Sequence, residues 1–289
     1  MQIPSELERC RAARRARTLA GLLLSAAAQL VYDDAHAAGD CLLVDGFEAD
    51  AARCRVGVIP PGTSWQWQLA GTIDTTVDVD LYDIDLFETA QAVVDQLHRD
   101  GRIVICYFSA GSWESYRPDS AAFPESVKGL PLDPPFQDER WLDIRQLETL
   151  RPLIEARLDL AVAKRCDGVE PDNVDAYTNA SGFPLTSQHQ IAYNRFVADA
   201  AHARDLSVGL KNDLDQITQL LPYFDWALNE QCFEYDECQL LAPFVAAGKA
   251  VLGVEYNLGT TQFCPQANAM NFDWLRKNLN LDAFRQACR

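Results

Sequence analysis

Two carboxylates stand out because of the residues beside them. Asp172 follows a proline that ends an apolar run, and Glu230 lies between two amide side chains just after another apolar run. An aspartate after a strand often only caps the next helix. A preceding proline, or a glutamate in place of the aspartate, is not a usual capping arrangement. We therefore favour a functional role for both carboxylates.

Further polar and aromatic residues lie in or just after other apolar runs. Carboxylates recur from run to run, with amides and rings beside them. A glycosidase needs such a set: two carboxyl groups, hydrogen-bonding amides and flat rings for sugar faces. Core packing is the alternative for the rings, and helix capping is the alternative for Asp143. The candidate substrate-binding residues are Trp67, Asp83, Tyr107, Ser109, Trp113, Asp143, Glu170, Asn173, Lys211, Asn212, Glu255, Tyr256 and Asn257.

The histidines argue against several other chemistries. Three of the four fall on predicted helices and the fourth lies near the N-terminus, whereas a Ser-His-Asp triad and most zinc hydrolases need a histidine at the site. The sequence also lacks the G-x-S-x-G, P-loop and dinucleotide-binding motifs. We expect carboxylate chemistry without a metal or cofactor. The alternative is an all-oxygen metal site at Glu170, Asp172 and Asp175.

The elements that must position these residues form an alternating pattern. The predicted strands are Trp65–Leu69, Val77–Leu81, Ile103–Phe108, Trp141–Ile144, Gly168–Val169, Leu206–Leu210, Trp226–Leu228 and Ala250–Val254. The predicted helices are 88–99, 146–165, 187–204, 213–221 and 237–247. Eight strands alternating with helices favour a parallel (β/α)8 TIM barrel over a doubly wound open sheet. The first two strands are too close for an intervening helix, so we expect a hairpin-like irregularity there.

A barrel of this kind predicts where the site lies. Its chemistry sits just past the carboxyl ends of the strands, which is where the candidate residues follow the apolar runs. We predict a single barrel domain over residues 63–289. Residues 38–62, which contain a Pro-Pro-Gly breaker and no sustained periodic pattern, are predicted to be a leader.

The N-terminus predicts export. A run of arginines is followed by an apolar, alanine-rich stretch and an Ala35-His36-Ala37 cleavage site, which is the order of a secretory signal peptide. We assign residues 1–37 to this signal, and an uncleaved amphipathic helix is the alternative. The protein is therefore expected outside the cytoplasm, in the extracellular space or the periplasm.

The cysteines agree with an oxidising compartment. There are nine, and eight remain after Cys10 leaves with the signal. The short loops that they would close favour the pairs Cys41/Cys54, Cys232/Cys238 and Cys264/Cys288. Cys106 and Cys166, inside or beside apolar strands, are interpreted as buried thiols.

The net charge of the protein limits the classes of partner that it can bind. The formal net charge is −17, from 25 basic and 42 acidic residues. A protein this acidic binds nucleic acids and anionic membranes poorly. No stretch after the predicted signal is apolar enough to be inserted in a membrane. A cationic polysaccharide substrate would suit it, and we expect a monomer.

Seven motifs together resemble glycoside hydrolase family 114, the secreted endo-α-1,4-polygalactosaminidases. They are Trp65-Gln66-Trp67-Gln68-Leu69, Tyr82-Asp83-Ile84-Asp85, Cys106-Tyr107-Phe108-Ser109-Ala110-Gly111, Trp141-Leu142-Asp143-Ile144-Arg145, Asp167-Gly168-Val169-Glu170-Pro171-Asp172-Asn173, Asn229-Glu230-Gln231-Cys232 and Glu255-Tyr256-Asn257. The resemblance covers about residues 63–260. It implies a (β/α)8 barrel that cleaves galactosamine polymers, including galactosaminogalactan, by a retaining mechanism.

The resemblance also implies the catalytic pair. Asp172 matches the family's nucleophile and Glu230 its acid/base, with Glu170 and Glu255 as nearby competitors for these roles. Two other functions stay open at this point. One is a barrel glycosidase that acts on another α-glycan, and the other is a non-catalytic carbohydrate-binding barrel.

Overall fold

The computed structural model describes residues 57–289. The predicted signal peptide, residues 38–56 of the leader and the Cys41/Cys54 pair lie outside the described residues. Within the described part of the chain, no helix combines the length and apolarity needed to cross a membrane.

The described chain forms twelve strands and six α-helices. The strands are β1 (Trp65–Gln68), β2 (Leu81–Asp85), β3 (Ile103–Ser109), β4 (Ser112–Glu114), β5 (Lys128–Pro131), β6 (Glu139–Leu142), β7 (Gly168–Asp172), β8 (Ser207–Lys211), β9 (Trp226–Glu230), β10 (Val251–Glu255), β11 (Asp273–Arg276) and β12 (Gln286–Ala287). The α-helices are α1 (Gln91–Arg99), α2 (Leu147–Ala163), α3 (Ser187–His202), α4 (Ile217–Leu220), α5 (Ala242–Ala246) and α6 (Thr260–Ala269). Single 3-10 turns lie at Ser120–Ala122, Glu125–Val127, Ala176–Thr178, Leu214–Gln216 and Cys238–Leu241.

Eight parallel strands make a curled sheet in the order β1-β2-β3-β7-β8-β9-β10-β11, and β12 adds an antiparallel strand at the end. Hydrogen bonds join its two ends. Trp65 Nε1 on β1 donates to the carbonyl of Asp273 on β11 at 2.8 Å, and Arg285 Nε donates to the carbonyl of Trp65 at 2.8 Å. The predicted (β/α)8 barrel is confirmed.

Large buried rings pack against the strands of the barrel. Trp65, Trp226 and Trp274 are each at most 1% exposed. A Cβ atom on Gly209 would lie 2.5 Å from the Trp226 ring, and one on Gly253 would lie 2.1 Å from the Trp274 ring. Glycine is required at both positions because each indole packs directly on the neighbouring strand's backbone.

One predicted barrel strand was wrong and one was missed. Residues 141–144 do not enter the barrel, because β6 pairs with β4 and β5 in a separate antiparallel sheet that also buries Trp141. The eighth barrel strand is β11. It was not predicted because polar residues at both ends leave too short an apolar run. Asp273 is buried there because it accepts hydrogen bonds from Arg289 and the Gly62 amide.

The second strand is shifted toward the C-terminus from its predicted position. It covers Leu81–Asp85 rather than 77–81, because two of its carboxylates, Asp83 and Asp85, are buried. The connection from β1 to β2 lacks a helix, as predicted, but the two strands are parallel and not hairpin-like. Helix α6 was not predicted, and it has Pro265 in its interior.

The disulfides correct one prediction and confirm two. Cys232–Cys238 and Cys264–Cys288 are bonded as predicted. Cys106 and Cys166 were expected to be free thiols, but they form a disulfide with their Cα atoms 5.9 Å apart. The bond forms because β3 and β7 are neighbours in the sheet although far apart in sequence.

The Cys106–Cys166 bond should contribute measurably to stability. It closes a loop with a sequence separation of 60 residues, for which the chain-entropy model gives about 4 kcal/mol. We expect the double variant Cys106→Ala/Cys166→Ala to melt about 10 °C lower than the wild type by calorimetry. Alkylation of either cysteine in the denatured but unreduced wild type would contradict the bond.

Candidate active site

Lys211, the last residue of β8, is the centre of a carboxylate cluster. Its Nζ atom lies 3.1 Å from Glu170 Oε1, 3.0 Å from Asp172 Oδ1 and 3.3 Å from Glu230 Oε2. The side chain is 2% exposed and its ammonium lies 4.8 Å from the centre of the Trp67 ring. Burial alone lowers the pKa of Lys211, but the three carboxylates raise it well above its usual range. Lys211 is therefore charged.

Strand geometry brings these residues to one end of the barrel. Successive side chains of a strand alternate between its two faces, so Glu170 and Asp172 of β7 share a face. Lys211 and Glu230 end the neighbouring strands β8 and β9. Each of these three strands is followed by a residue with a positive φ. These residues are Asn173 after β7, Asn212 after β8 and Gln231 after β9. Asparagine tolerates this left-handed turn better than most residues.

Both oxygens of Asp172 accept hydrogen bonds. Tyr107 donates to Oδ2 at 3.0 Å, and the Asn173 amide donates to Oδ1 at 2.7 Å. Burial, and then the charge of Asp172, raise the pKa of Tyr107 well above its usual range, so its hydroxyl remains a donor. A carboxylate, which only accepts, fits these partners. The side chain stays 19% exposed and can be reached from outside.

Glu230 has a different set of partners. Tyr256 donates to its Oε1 atom and Asn212 donates to Oε2 at 3.4 Å. The same Asn212 also accepts from the backbone amide of Glu230 at 3.0 Å, which fixes the end of β9. The Glu230 side chain is 25% exposed. Its carboxyl group thus contacts two neutral donors besides the Lys211 ammonium and can be reached from the cleft.

The shared ammonium limits the separation of the two candidate catalytic groups. Asp172 Oδ1 and Glu230 Oε2 lie 3.0 and 3.3 Å from the same nitrogen, so these oxygens are at most about 6.3 Å apart. Retaining glycosidases hold their carboxyl groups about 5–5.5 Å apart and inverting ones about 6.5–9.5 Å. The arrangement is compatible with the retaining spacing.

A second pair of carboxyl groups lies beneath the first. Glu170 accepts from Trp67 Nε1 at 3.0 Å and from Lys211. Burial raises the pKa of Glu170 to about 7, against the opposing effect of Lys211. Asp83 is fully buried, and burial followed by the charge of Glu170 raises its pKa well above the usual range. Both shifts favour the protonated forms of this buried pair.

A cleft of about 580 Å³ opens above this cluster. That volume lies within the range of small-molecule sites, about 300–1,000 Å³. Acidic residues in its lining outnumber basic ones: Asp85, Glu88, Glu139, Asp172, Asp175 and Glu230, against Arg117 and Lys211. Burial, and then the charge of Asp172, raise the pKa of Asp175 to about 6. The cleft is suited to a polar ligand that carries positive charge.

Most of the predicted site residues line this cleft. They are Trp67, Tyr107, Asp172, Asn173, Lys211, Asn212, Glu230 and Tyr256. Three others support it from below: Asp83 and Glu170, as described, and Ser109. The Ser109 hydroxyl accepts from Asn173 Nδ2 at 2.9 Å and lies 2.6 Å from the Ser112 hydroxyl.

Four predicted residues lie elsewhere. Trp113 donates to the carbonyl of Ser120 and packs under the ammonium of Lys128. Asp143 binds the side chains of Arg145 and Gln146 and does not cap the next helix, whose N-cap residue is Gln146. Asn257 is exposed and donates to Glu234. Glu255 is fully buried and accepts from the Phe233 amide, and burial raises its pKa to about 7. The first three thus lie outside the lining of the cleft, and Glu255 supports the loop after β9.

The candidate substrate-binding residues do not include one wall of the cleft. Asp85 binds Arg117 through two hydrogen bonds of 2.9 and 2.7 Å, and Glu114 binds the same guanidinium at 2.7 Å. Glu139 accepts from the Ser112 hydroxyl at 2.6 Å, and burial raises its pKa to about 7. These residues come from β2, β4, β6 and a loop, and only pairing in the small antiparallel sheet brings them together.

The charge arrangement does not favour a metal at Glu170, Asp172 and Asp175. The Lys211 ammonium lies between Glu170 and Asp172, where a cation bridging them would sit. Among residues 57–289, no group of three or more metal-ligating side chains could hold an ion.

Comparisons with known proteins agree with this geometry. The model of glycoside hydrolase family GH114 matches residues 48–289. The crystal structure of Aspergillus fumigatus Ega3 in complex with galactosamine is 42% identical and covers 80% of this chain and 96% of its own, with a TM-score of 0.75. A comparison with curated protein sequences finds no match.

A more distant structure has the same fold. The glycoside hydrolase domain of Pseudomonas aeruginosa PelA is 11% identical, covers 79% of this chain and 98% of its own, and has a TM-score of 0.61. The family match spans most of the chain, the Ega3 match supports it, and the barrel with its carboxylate-lined cleft is consistent with both. This chain is a glycoside hydrolase and belongs to family GH114.

Proposed function

We propose that this protein is a secreted, endo-acting hydrolase that cleaves α-1,4-linked galactosamine polymers by a retaining mechanism. The observation that carries the proposal is the contact of one buried ammonium, that of Lys211, with both Asp172 and Glu230 at the base of the cleft. Asp172 is the nucleophile and Glu230 is the acid/base.

The proposed reaction gives each carboxyl group one role. Glu230 protonates the oxygen of the scissile bond while Asp172 attacks the anomeric carbon, which gives a covalent glycosyl-enzyme. Glu230 then removes a proton from water, which attacks the same carbon and releases the sugar with the starting configuration. Tyr107 and Lys211 hold the Asp172 carboxylate in place through its two oxygens.

The choice of an amino sugar rests on charge and on similarity. Ega3, crystallised with galactosamine, is 42% identical to this chain over most of its length. The lining of the cleft has more acidic than basic side chains, and deacetylated galactosamine carries an ammonium on each sugar. A cleft dominated by one sign of charge attracts a polymer of the opposite sign.

Secretion rests on the N-terminal pattern and on the cysteines. An arginine run, an apolar stretch and an A-x-A site precede the barrel. Three disulfides in residues 57–289 suit an oxidising compartment.

Removing either carboxylate should stop turnover. We expect Asp172→Asn and Glu230→Gln each to lower kcat by about 10³ or more, because the two groups act as a unit in the transition state. Reducing ends released from partly deacetylated galactosaminogalactan, followed by mass spectrometry of the products, measure the effect. Asp236→Asn, an identical change at an exposed position, is the control. Near-normal activity in either active-site variant, with unchanged melting, would refute the assignment.

The charge of the polymer should determine kcat/KM. We expect kcat/KM to fall as the polymer is N-acetylated, because acetylation removes the ammonium groups that the acidic cleft attracts. Added salt should lower kcat/KM by about tenfold for the deacetylated polymer, since salt screens charges over about 8–10 Å. A fully acetylated polymer of equal length is the matched control. Equal rates on both polymers, unaffected by salt, would contradict the electrostatic part of the proposal.

A further inference from the structure

A second cavity of about 330 Å³ lies beside the cleft. The two share Asp175, Asn212, Glu230 and Gln231, so they meet at the proposed acid/base. The second cavity does not include Asp172 in its lining. A polymer bound across the cleft and the second cavity would therefore contact Asp172 and Glu230 in the cleft. In the second cavity it would contact Glu230 but not Asp172.

The second cavity is lined by acids. Besides Asp175 and Glu230, its walls contain Asp213, Asp215 and Glu237, and none of its lining residues is lysine, arginine or histidine. Asp175 follows β7, Asp213 and Asp215 follow β8, and Glu237 follows β9. Three separate loops thus present carboxylates to one space.

Two buried acceptors in the lining have no donor. Asp213 is 4% exposed and Asn229 is 1% exposed, and the Oδ1 atom of each has no hydrogen-bond partner among residues 57–289. The remaining polar atoms are occupied, since Asp213 Oδ2 accepts from Asn194 at 2.8 Å and Asn229 Nδ2 donates to Asn212 at 3.2 Å. An unpaired buried acceptor is costly. A ligand that brings N–H or O–H donors would satisfy both.

The raised pKa of Asp213 and the exposed ring of Tyr235 both fit a cavity that binds a cationic sugar. Burial, followed by the charge of Asp175, raises the pKa of Asp213 to about 9, as expected for a carboxyl group that lacks a nearby cation. An ammonium in the cavity would favour its charged form. Tyr235, 63% exposed, adds a flat ring to the lining on which a sugar face can pack.

We propose that this cavity is a subsite for an amino sugar on the leaving-group side of the scissile bond. The inference rests on the proposed function, in which Glu230 protonates the leaving oxygen. The sugar that departs must then lie against Glu230 and away from the nucleophile, which describes the second cavity. Its acids and unpaired acceptors select a sugar with a free amino group.

The test compares two leaving groups. One substrate is a galactosamine oligomer, and the other is the 4-nitrophenyl α-glycoside of the same oligomer, from which nitrophenol is released only when the aryl group occupies the leaving side. We expect Asp213→Asn and Glu237→Gln each to lower kcat/KM about tenfold on the oligomer, because each removes a charged partner of the ammonium. Nitrophenol release should change less than twofold. Asp236→Asn, an equivalent change outside both cavities, should alter neither rate.

The outcomes separate the two proposals. Glu237→Gln keeps the test decisive if Asp213→Asn fails to fold, because Glu237 lies on a different loop and is only half-buried. If the wild type cleaves neither substrate, the proposed function fails and the subsite fails with it. If the wild type cleaves both and the folded variants change neither rate, or lower both equally, the subsite is overturned while the proposed function stands.

Discussion

The Nζ atom of Lys211 lies 3.0 to 3.3 Å from oxygens of three carboxylates, and the rest of the site depends on that contact. Without the ammonium, Glu170, Asp172 and Glu230 would repel one another in a buried space, where an unpaired charge costs several kcal/mol. With it, Asp172 and Glu230 are held close at the base of an open cleft. Trp67 packs against the ammonium and donates to Glu170, which fixes the cluster from below.

The barrel makes this cluster possible because its parallel strands end at one rim. Lys211 ends β8 and Glu230 ends β9, while Glu170 and Asp172 lie two residues apart on one face of β7. Close packing between strands sets the spacing. A Cβ atom at Gly111 would lie 1.6 Å from the carbonyl oxygen of Asn173, so the loop after β3 can approach the end of β7 only with glycine there. Tyr107 reaches Asp172 because β3 and β7 are paired neighbours in the sheet.

Sequence patterns predicted the features that depend on the local order of residues. They missed the features that depend on pairing between strands far apart in sequence. The central strands and the residues at their ends follow from apolar runs, so Asp172, Lys211 and Glu230 were found. Trp113 and Asp143 were misplaced because β4 and β6 pair with each other outside the barrel. β11 was missed because its ends are polar, and Asp273 is buried through its contacts with Arg289 and the Gly62 amide. The Cys106–Cys166 bond likewise requires knowing that β3 adjoins β7.

The proposed mechanism has Asp172 attack the sugar while Glu230 supplies the proton. Trapping the covalent intermediate distinguishes these two roles. A galactosaminyl fluoride carrying a second fluorine on the ring slows both steps, but its good leaving group lets the covalent adduct accumulate. Peptide mapping by mass spectrometry should place the added sugar mass on Asp172. Labelling of Glu230 or Glu170, or turnover of a natural oligomer to a product of inverted configuration, would contradict the account.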